Sequence, residues 1–398
     1  MPDNFPLIRE KLDQAVGILN EMSIDAWVTF VRETALTRDP SLDLILGMDM
    51  VWQSAFIVTR TNQRIAIVGK QDAENVQISG GYTRIIPYLE GIRNDLIATL
   101  LELDPAKIAL NYSENDESAD GIGHGLMLLF QRYLVDTGLA ERCTSAEQII
   151  GALRGRKSPA EVERIRGAIA STQAVFGQIQ GMLVPGVSEA EIAAEVHRLL
   201  DSYELETAWG RSTCPAVTAG PNSPVGHAGP QANITVQGGT LVHLDFGIKQ
   251  DDYCSDLQRV WYVRQGAEDV PAEVRRAFDA ARTALMAGFD ALKPGTEGWQ
   301  VDEAARRALV NEGYPEYQHA FGHHVGRAVH DGATVLGPLW ERYGNTPHGI
   351  VEPGNVFAIE LDISLPAYGL VGLEENVIVT PTGTEWLSEP QTEVWVAG

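Results

Sequence analysis

TLVHLDFGIKQDDYCSDLQRVWYV, residues 240–263, sets acids where a strand-rich segment would ordinarily be apolar. His243, Asp245 and Gly247 alternate with Val242, Leu244, Phe246 and Ile248, so one set can face a core while Asp245 faces a cavity. Asp256, Gln258, Val260 and Tyr262 repeat the pattern on a returning strand. A turn built around Lys249–Asp252 makes the two strands an antiparallel hairpin and brings Asp245 and Asp256 to one wall. Carboxylates held that close repel, and each pKa rises unless a cation sits between them. A metal ion is the simplest such cation. Taken alone, the stretch is equally compatible with two solvated hairpin acids.

Around this stretch the 398-residue chain is long enough for two domains of ordinary size. A formal charge of −24 repels phosphate backbones and anionic headgroups, so neither nucleic acid nor a membrane surface is expected as a partner. The first residues, MPDNFPLIREKLDQAVGILNEM, lack the basic start and continuous apolar run of a secretory signal, and no later segment approaches a membrane span. Cys143, Cys214 and Cys254 are odd in number and without metal-type spacing. A cytoplasmic, reducing setting is therefore expected.

Apolar residues at helical spacing over Leu7–Met22 predict a helix, and AWVTFV from Ala26 a buried strand. WQSAFIVTR and RIAIVGK, flanking Thr61-Asn62-Gln63, predict a hairpin. RIIPYL, a helix around Asp95–Leu103, KIALNY and a helix around Ile122–Leu134 complete an α/β domain over residues 1–155, with no catalytic constellation in it. The second domain, residues 156–398, opens at Ser158-Pro159-Ala160-Glu161, where serine, proline and glutamate form a helix-start signal, and Ser188-Glu189-Ala190-Glu191 forms another. Helices over Pro271 to Phe289 and Trp299 to Asn311 follow, the latter stopped by Gly313. The fold class is α+β, with the later helices packed over an antiparallel sheet.

Four of the nine histidines fall in HAFGHHVGRAVHDG, at positions 319, 323, 324 and 330, a density that packing alone does not call for. PNSPVGHAGP carries His227 on a loop. Glu360 in VFAIELDISLPAYG and Glu374 in GLVGLEENVIVT lie inside apolar strands, and buried acids need partners. Two acids in each of two hairpins, joined by a histidine loop, make an oxygen-rich site able to hold two cations.

The D-F-G with a second Asp 11 residues on, H-x-x-G-H-x-x-G-x-x-x-H, the Glu after V-F-x-I, and the final G-x-E-E-x-V-x-V-T strand together resemble the pita-bread metallopeptidases. That family includes methionine aminopeptidase, aminopeptidase P and prolidase, with creatinase as a metal-free relative. The resemblance covers about residue 160 to the end, and residues 1–155 are similar to the creatinase-type amino-terminal domain. It implies that Asp245, Asp256, His323, Glu360 and Glu374 bind two divalent ions, Mn²⁺ in first place with Co²⁺ or Zn²⁺ as alternatives, and that Asp256 and Glu374 bridge them. It also implies that His227, His319 and His330 bind substrate and move protons.

The implied reaction is hydrolysis of Xaa-Pro bonds, as in a bacterial-type Xaa-Pro dipeptidase, with a metal-bridged hydroxide as nucleophile and Glu360 taking its proton. The substrate is then a small peptide with proline second, and a homodimer is expected. The alternatives are an aminopeptidase P, a C–N hydrolase of a non-peptide metabolite, or a scaffold on a dead peptidase fold. Four departures alter the pocket wall. Gly372-Leu373 stands where the family often has Arg-Ile, Leu361-Asp362 where it has Pro-Gly, Gln258-Arg259-Val260 for Thr-Arg-Thr, and Ala320 for glycine. Arg327 is a candidate to replace the missing arginine, His324 and Glu375 are expected to support the neighbouring ligand positions, and His197, His243 and His348 are expected to be structural or exposed.

Overall fold

The computed structural model describes residues 4–224, 226 and 228–398. The chain divides into two compact units, residues 1–154 and 155–398. In the first, the amphipathic helix Phe5–Glu21 buries Ile8, Leu12, Ala15 and Leu19 at helical spacing. Strands β1 (Ala26–Val31), β2 (Ser54–Thr59), β3 (Arg64–Gly69), β4 (Arg84–Tyr88), β5 (Ile108–Leu110) and β6 (Cys143–Ser145) form one mixed sheet in the order β4-β3-β2-β1-β5-β6. The expected β2–β3 hairpin is present, its turn admitting Asn62 at φ 64°.

In the second unit the two serine helix starts become the helices Pro159–Ile179 and Glu189–Ser202, each with a complete capping box. The strands are β7 (Glu206–Thr207), β8 (Ala216–Ala219), β9 (Leu241–Phe246), β10 (Ile248–Gln250), β11 (Tyr253–Cys254), β12 (Leu257–Val263), β13 (Gly322–His324), β14 (Val356–Leu365), β15 (Gly369–Thr380), β16 (Gly383–Trp386) and β17 (Trp395–Ala397). The main sheet runs β13-β14-β15-β12-β9-β8, with β16 on β15 and β17 on β12. Helices Ala272–Ala291 and Gly298–Asn311 supply Phe278, Leu285, Val301 and Leu309 to a core shared with Phe357, Ile359, Leu361 and Leu373 of β14 and β15. Phe176, from the helix Pro159–Ile179, packs on Phe246 and Trp261 with ring centroids 5.8 and 5.9 Å apart.

The hairpin of residues 240–263 forms with one break. Asp251 and Asp252, both at positive φ, close the tight turn between β10 and β11, but β9 and β10 part at Gly247. There a Cβ would lie 2.1 Å from the Ser255 carbonyl oxygen, so only glycine allows the approach. The small sheet β11-β10-β7 therefore leaves the main one, and Asp256 stands just before β12.

Arg259 locks the back of this sheet. It is fully buried, pairs with Glu375 at 3.0 Å, and donates to the carbonyls of Gln258, Glu374 and Glu389. Glu375 also accepts from Ser388 Oγ and the Gln391 amide. Removing one partner leaves a buried charge unmatched, and Arg259→Met is expected to lower the unfolding free energy by about 3–5 kcal/mol. Urea denaturation of both proteins checks this, and an unchanged midpoint would refute it.

Candidate metal centre

Strand alternation puts every second residue of four adjacent strands on one face, and register puts their acids in one row. Asp245 of β9 lies opposite Gln258 of β12, Gln258 opposite Glu374 of β15, and Glu374 opposite Glu360 of β14. His323 of β13 enters from the sheet edge, its Nε2 lying 3.7 Å from Asp256 Oδ2, 3.8 Å from Glu374 Oε1 and 4.0 Å from Glu360 Oε1. Asp245 and Asp256 are close enough that the charge of Asp245 helps to raise Asp256. All five residues expected as ligands thus converge, and ligand atoms of Asp256, His323 and Glu374 lie within 4.8 Å of one another.

The electrostatics follow from crowding acids away from water. Burial and the charge of Glu360 push the Asp245 pKa up to about 8, and burial with neighbouring carboxylates raises Asp256 and Glu374 well above the usual range. Burial, then the nearby His330, lowers His323 to about 3, so it is a neutral imidazole with a lone pair to give. Buried oxygens Asp245 Oδ1, Asp256 Oδ1 and Glu374 Oε2 have no hydrogen-bond partner. Lone pairs of this kind, with one neutral imidazole, fit a divalent cation of oxygen preference.

The other expected residues are placed as follows. His319 donates from Nδ1 to the Ala320 carbonyl at 2.8 Å and pairs through Nε2 with Asp362 at 3.2 Å. Burial opposes its charge, but the Asp362 hydrogen bond and the charges of Glu360 and Asp362 outweigh it, and its pKa is pushed up to about 9. His330 is exposed, its ring edge-on to His323 with centroids 4.4 Å apart. His227 lies outside the described residues. His324 packs against Phe357, and Glu375 faces Arg259 behind the sheet.

Arg327 does not take up the role considered for it. It is mostly buried, 3.4 Å from Asp252, with its guanidinium over the Tyr253 ring at 5.4 Å, because the loop that carries it is pinned by the buried Lys157–Asp331 pair at 2.8 Å. His197 bonds the Cys214 carbonyl and His348 is exposed beside Glu297, as expected of structural or surface residues. His243 is structural, buried on the face that carries the acids. Its Nε2 bonds Gln258 Oε1 at 2.9 Å, and Gln258 Nε2 donates to Glu360 Oε2 at 2.8 Å. The signal was present in the two-residue spacing of His243 from Asp245 and of Gln258 from Asp256.

Residues 163–381, more than half the chain, match metallopeptidase family M24. The chain belongs to that family. It is 32% identical over 239 residues to a Xaa-Pro dipeptidase of Lactobacillus helveticus, a match spanning 59% of this chain and 60% of the length of that M24 enzyme. Among solved structures it resembles a Xaa-Pro dipeptidase from Bacillus anthracis, with TM-score 0.75, 21% identity and coverage of 98% and 99% of the two chains. It also resembles an X-Pro aminopeptidase from Thermotoga maritima, with TM-score 0.69, 21% identity and coverage of 97% and 99%. These likenesses establish the creatinase-like, pita-bread M24 fold expected from the motifs. Among the described residues no helix is long and apolar enough to cross a membrane.

One prediction follows from the raised acids. Asp245 folded has a pKa of about 8 against 3.8 as a free side chain, so the native state holds extra protons. Its contribution to stability is full below about pH 4 and is lost as pH rises through about 8. A divalent cation replaces those protons, so Mn²⁺ binding at pH 7 is expected to release them. Calorimetry in buffers of different ionisation enthalpy reads the release directly, and a binding heat independent of buffer would contradict it.

Proposed function

We propose that this chain is a dinuclear-metal exopeptidase hydrolysing Xaa-Pro peptide bonds, with Xaa-Pro dipeptides as its first substrates. The observation that carries the reading is the convergence of four carboxylates and one neutral imidazole, with buried oxygens of Asp245, Asp256 and Glu374 lacking hydrogen-bond partners. Asp245, Asp256, His323, Glu360 and Glu374 would hold the two ions. One imidazole among carboxylates favours Mn²⁺, with Co²⁺ or Zn²⁺ as alternatives. Bound divalent ions supply Lewis acidity to a scissile carbonyl and lower the pKa of water.

The rest falls to side chains. Glu360 takes up the proton of the attacking water. His330, or His319 on exchanging its Nε2 contact with Asp362 for substrate, donates to the developing oxyanion or to the leaving nitrogen. His330, exposed beside His323, and His227, from its place in the sequence, contact substrate. A homodimer belongs to the same reading, as does a cytoplasmic location, which the three free cysteines and the lack, among the described residues, of a helix able to cross a membrane support.

One observation favours a second reading, cleavage of longer Xaa-Pro peptides. Arg327 is tied to Asp252, and Gly372 carries no side chain, so neither position offers a guanidinium to the free carboxylate of a dipeptide. The deciding experiment is turnover of Ala-Pro and Ala-Pro-Ala by metal-stripped protein with and without added Mn²⁺. Metal-dependent cleavage of Ala-Pro is expected, and His323→Ala should lower it by more than the ~10–100-fold typical of removing an outer partner. Cleavage of the tripeptide alone would replace the dipeptidase reading by the second, and no metal-dependent cleavage of either would overturn both.

A further inference from the structure

Beside the acid row runs a second row of the same face, in which Gly372 of β15 lies opposite Asp362 of β14. Gly372 is at an ordinary strand position, so backbone conformation does not demand glycine there. Space does. A Cβ on residue 372 would lie 2.4 Å from His243 Nε2 and 2.6 Å from Gln258 Oε1. The notch left by the missing side chain is filled by Gln258 from the adjacent β12 and His243 from β9 beyond it, and that pair reaches Glu360.

The polarity of this chain of groups is fixed by its end. The Glu360 carboxylate only accepts, so the Gln258 carboxamide must present its nitrogen there, at 2.8 Å from Oε2. Its oxygen then faces His243, whose Nε2 carries the hydrogen that closes the 2.9 Å contact. Turning the amide over would set oxygen against carboxylate oxygen. His243 and Gln258 are both buried, so the contact between them is shielded from bulk water, while the one to Glu360 ends on a partly exposed carboxylate. The other oxygen of Glu360, Oε1, lies on the His323 side at 4.0 Å.

We propose that Gln258 is a positioning residue, held by His243 in the notch at Gly372, that fixes Glu360 by one oxygen and turns the other toward the metal centre. The inference rests on the reading that Glu360 holds a cation. Outer partners of metal-binding carboxylates act by orientation, and their loss typically weakens metal binding by about 10–100-fold. Period-two spacing puts His243 and Gln258 on the acid face, but no motif joins a glutamine, a histidine and a glycine on three strands into one contact.

The test uses the full chain, stripped of metal and titrated with Mn²⁺ by calorimetry and electron paramagnetic resonance, with the metal-free thermal midpoint measured alongside. Gln258→Met keeps the length of the side chain and removes both hydrogen bonds, and it is expected to weaken one of the two Mn²⁺ equivalents by ~10–100-fold. Gly372→Ala removes no polar group but displaces the pair, and it should reproduce that loss. In a His243→Ala background, which removes the nearest clash and frees the Gln258 carboxamide to move aside, Gly372→Ala should cost little more, since the two changes act through one contact. Wild-type Mn²⁺ affinity in Gln258→Met would overturn the proposal. So would a lowered metal-free midpoint in both variants with affinity unchanged, which would mark a purely structural role. Wild-type protein that takes up no Mn²⁺ would instead sink the metal reading itself.

Discussion

The structure turns on mutual repulsion among Asp245, Asp256, Glu360 and Glu374. Four acids gathered on one buried face are unfavourable in proportion to their proximity and to the water removed from them. The sheet can hold them there because its other face is ordinary. Ile359, Leu361 and Leu373 join a continuous apolar core under the helices Ala272–Ala291 and Gly298–Asn311, while Arg259 and Glu375 satisfy each other behind the same strands. Hydrophobic burial on one face thus sustains an electrostatically strained arrangement on the other. What relieves the strain is protonation or a cation, and the site's affinity for both has that single origin.

Much of this was legible from the residues. Period-two alternation located Asp245 and Asp256 on one wall, and the serine capping boxes located two helix starts, because both signals are local and strongly constrained by backbone geometry. The convergence of Glu360 and Glu374 with them needed strand order, which a sequence lacks unless a resemblance supplies it. Short elements escaped: Ala73–Ser79 and the three-residue β6 are too brief for a periodicity to emerge. Arg327 stood as a candidate for the missing family arginine because its partners Asp252 and Tyr253 come from the far hairpin and are invisible in sequence. His243 was set aside for the opposite reason. It matched no motif, although its spacing from Asp245 already put it on the cavity side.

Around the acids the structure divides labour between fixed and exposed groups. His323, Asp245, Glu360 and Glu374 stand on strands whose positions are set by cross-strand pairing, with Asp256 just ahead of β12, whereas His330 sits on a loop tethered by the buried Lys157–Asp331 pair. Asp331 also accepts from the Ala328 amide, so one carboxylate both ends a buried ion pair and shapes the loop backbone. His319 combines the two regimes. One ring nitrogen is committed to backbone and the other to a partly exposed acid, which leaves an imidazolium at the mouth of the site.

The unbroken ten-residue pairing of β14 with β15, from Val356–Ile378 to Leu365–Gly369, bears on how such a gene can vary. Side chains alternate every residue, so inserting or deleting one amino acid within either strand would turn Glu360 or Glu374 into the apolar core and bring Ile359 or Leu373 into the cleft. Substitutions can be absorbed one at a time; frame-preserving length changes in these strands cannot. Tolerated insertions and deletions should therefore gather in connections such as residues 332–350, where the chain may lengthen without renumbering the face on which the acids stand.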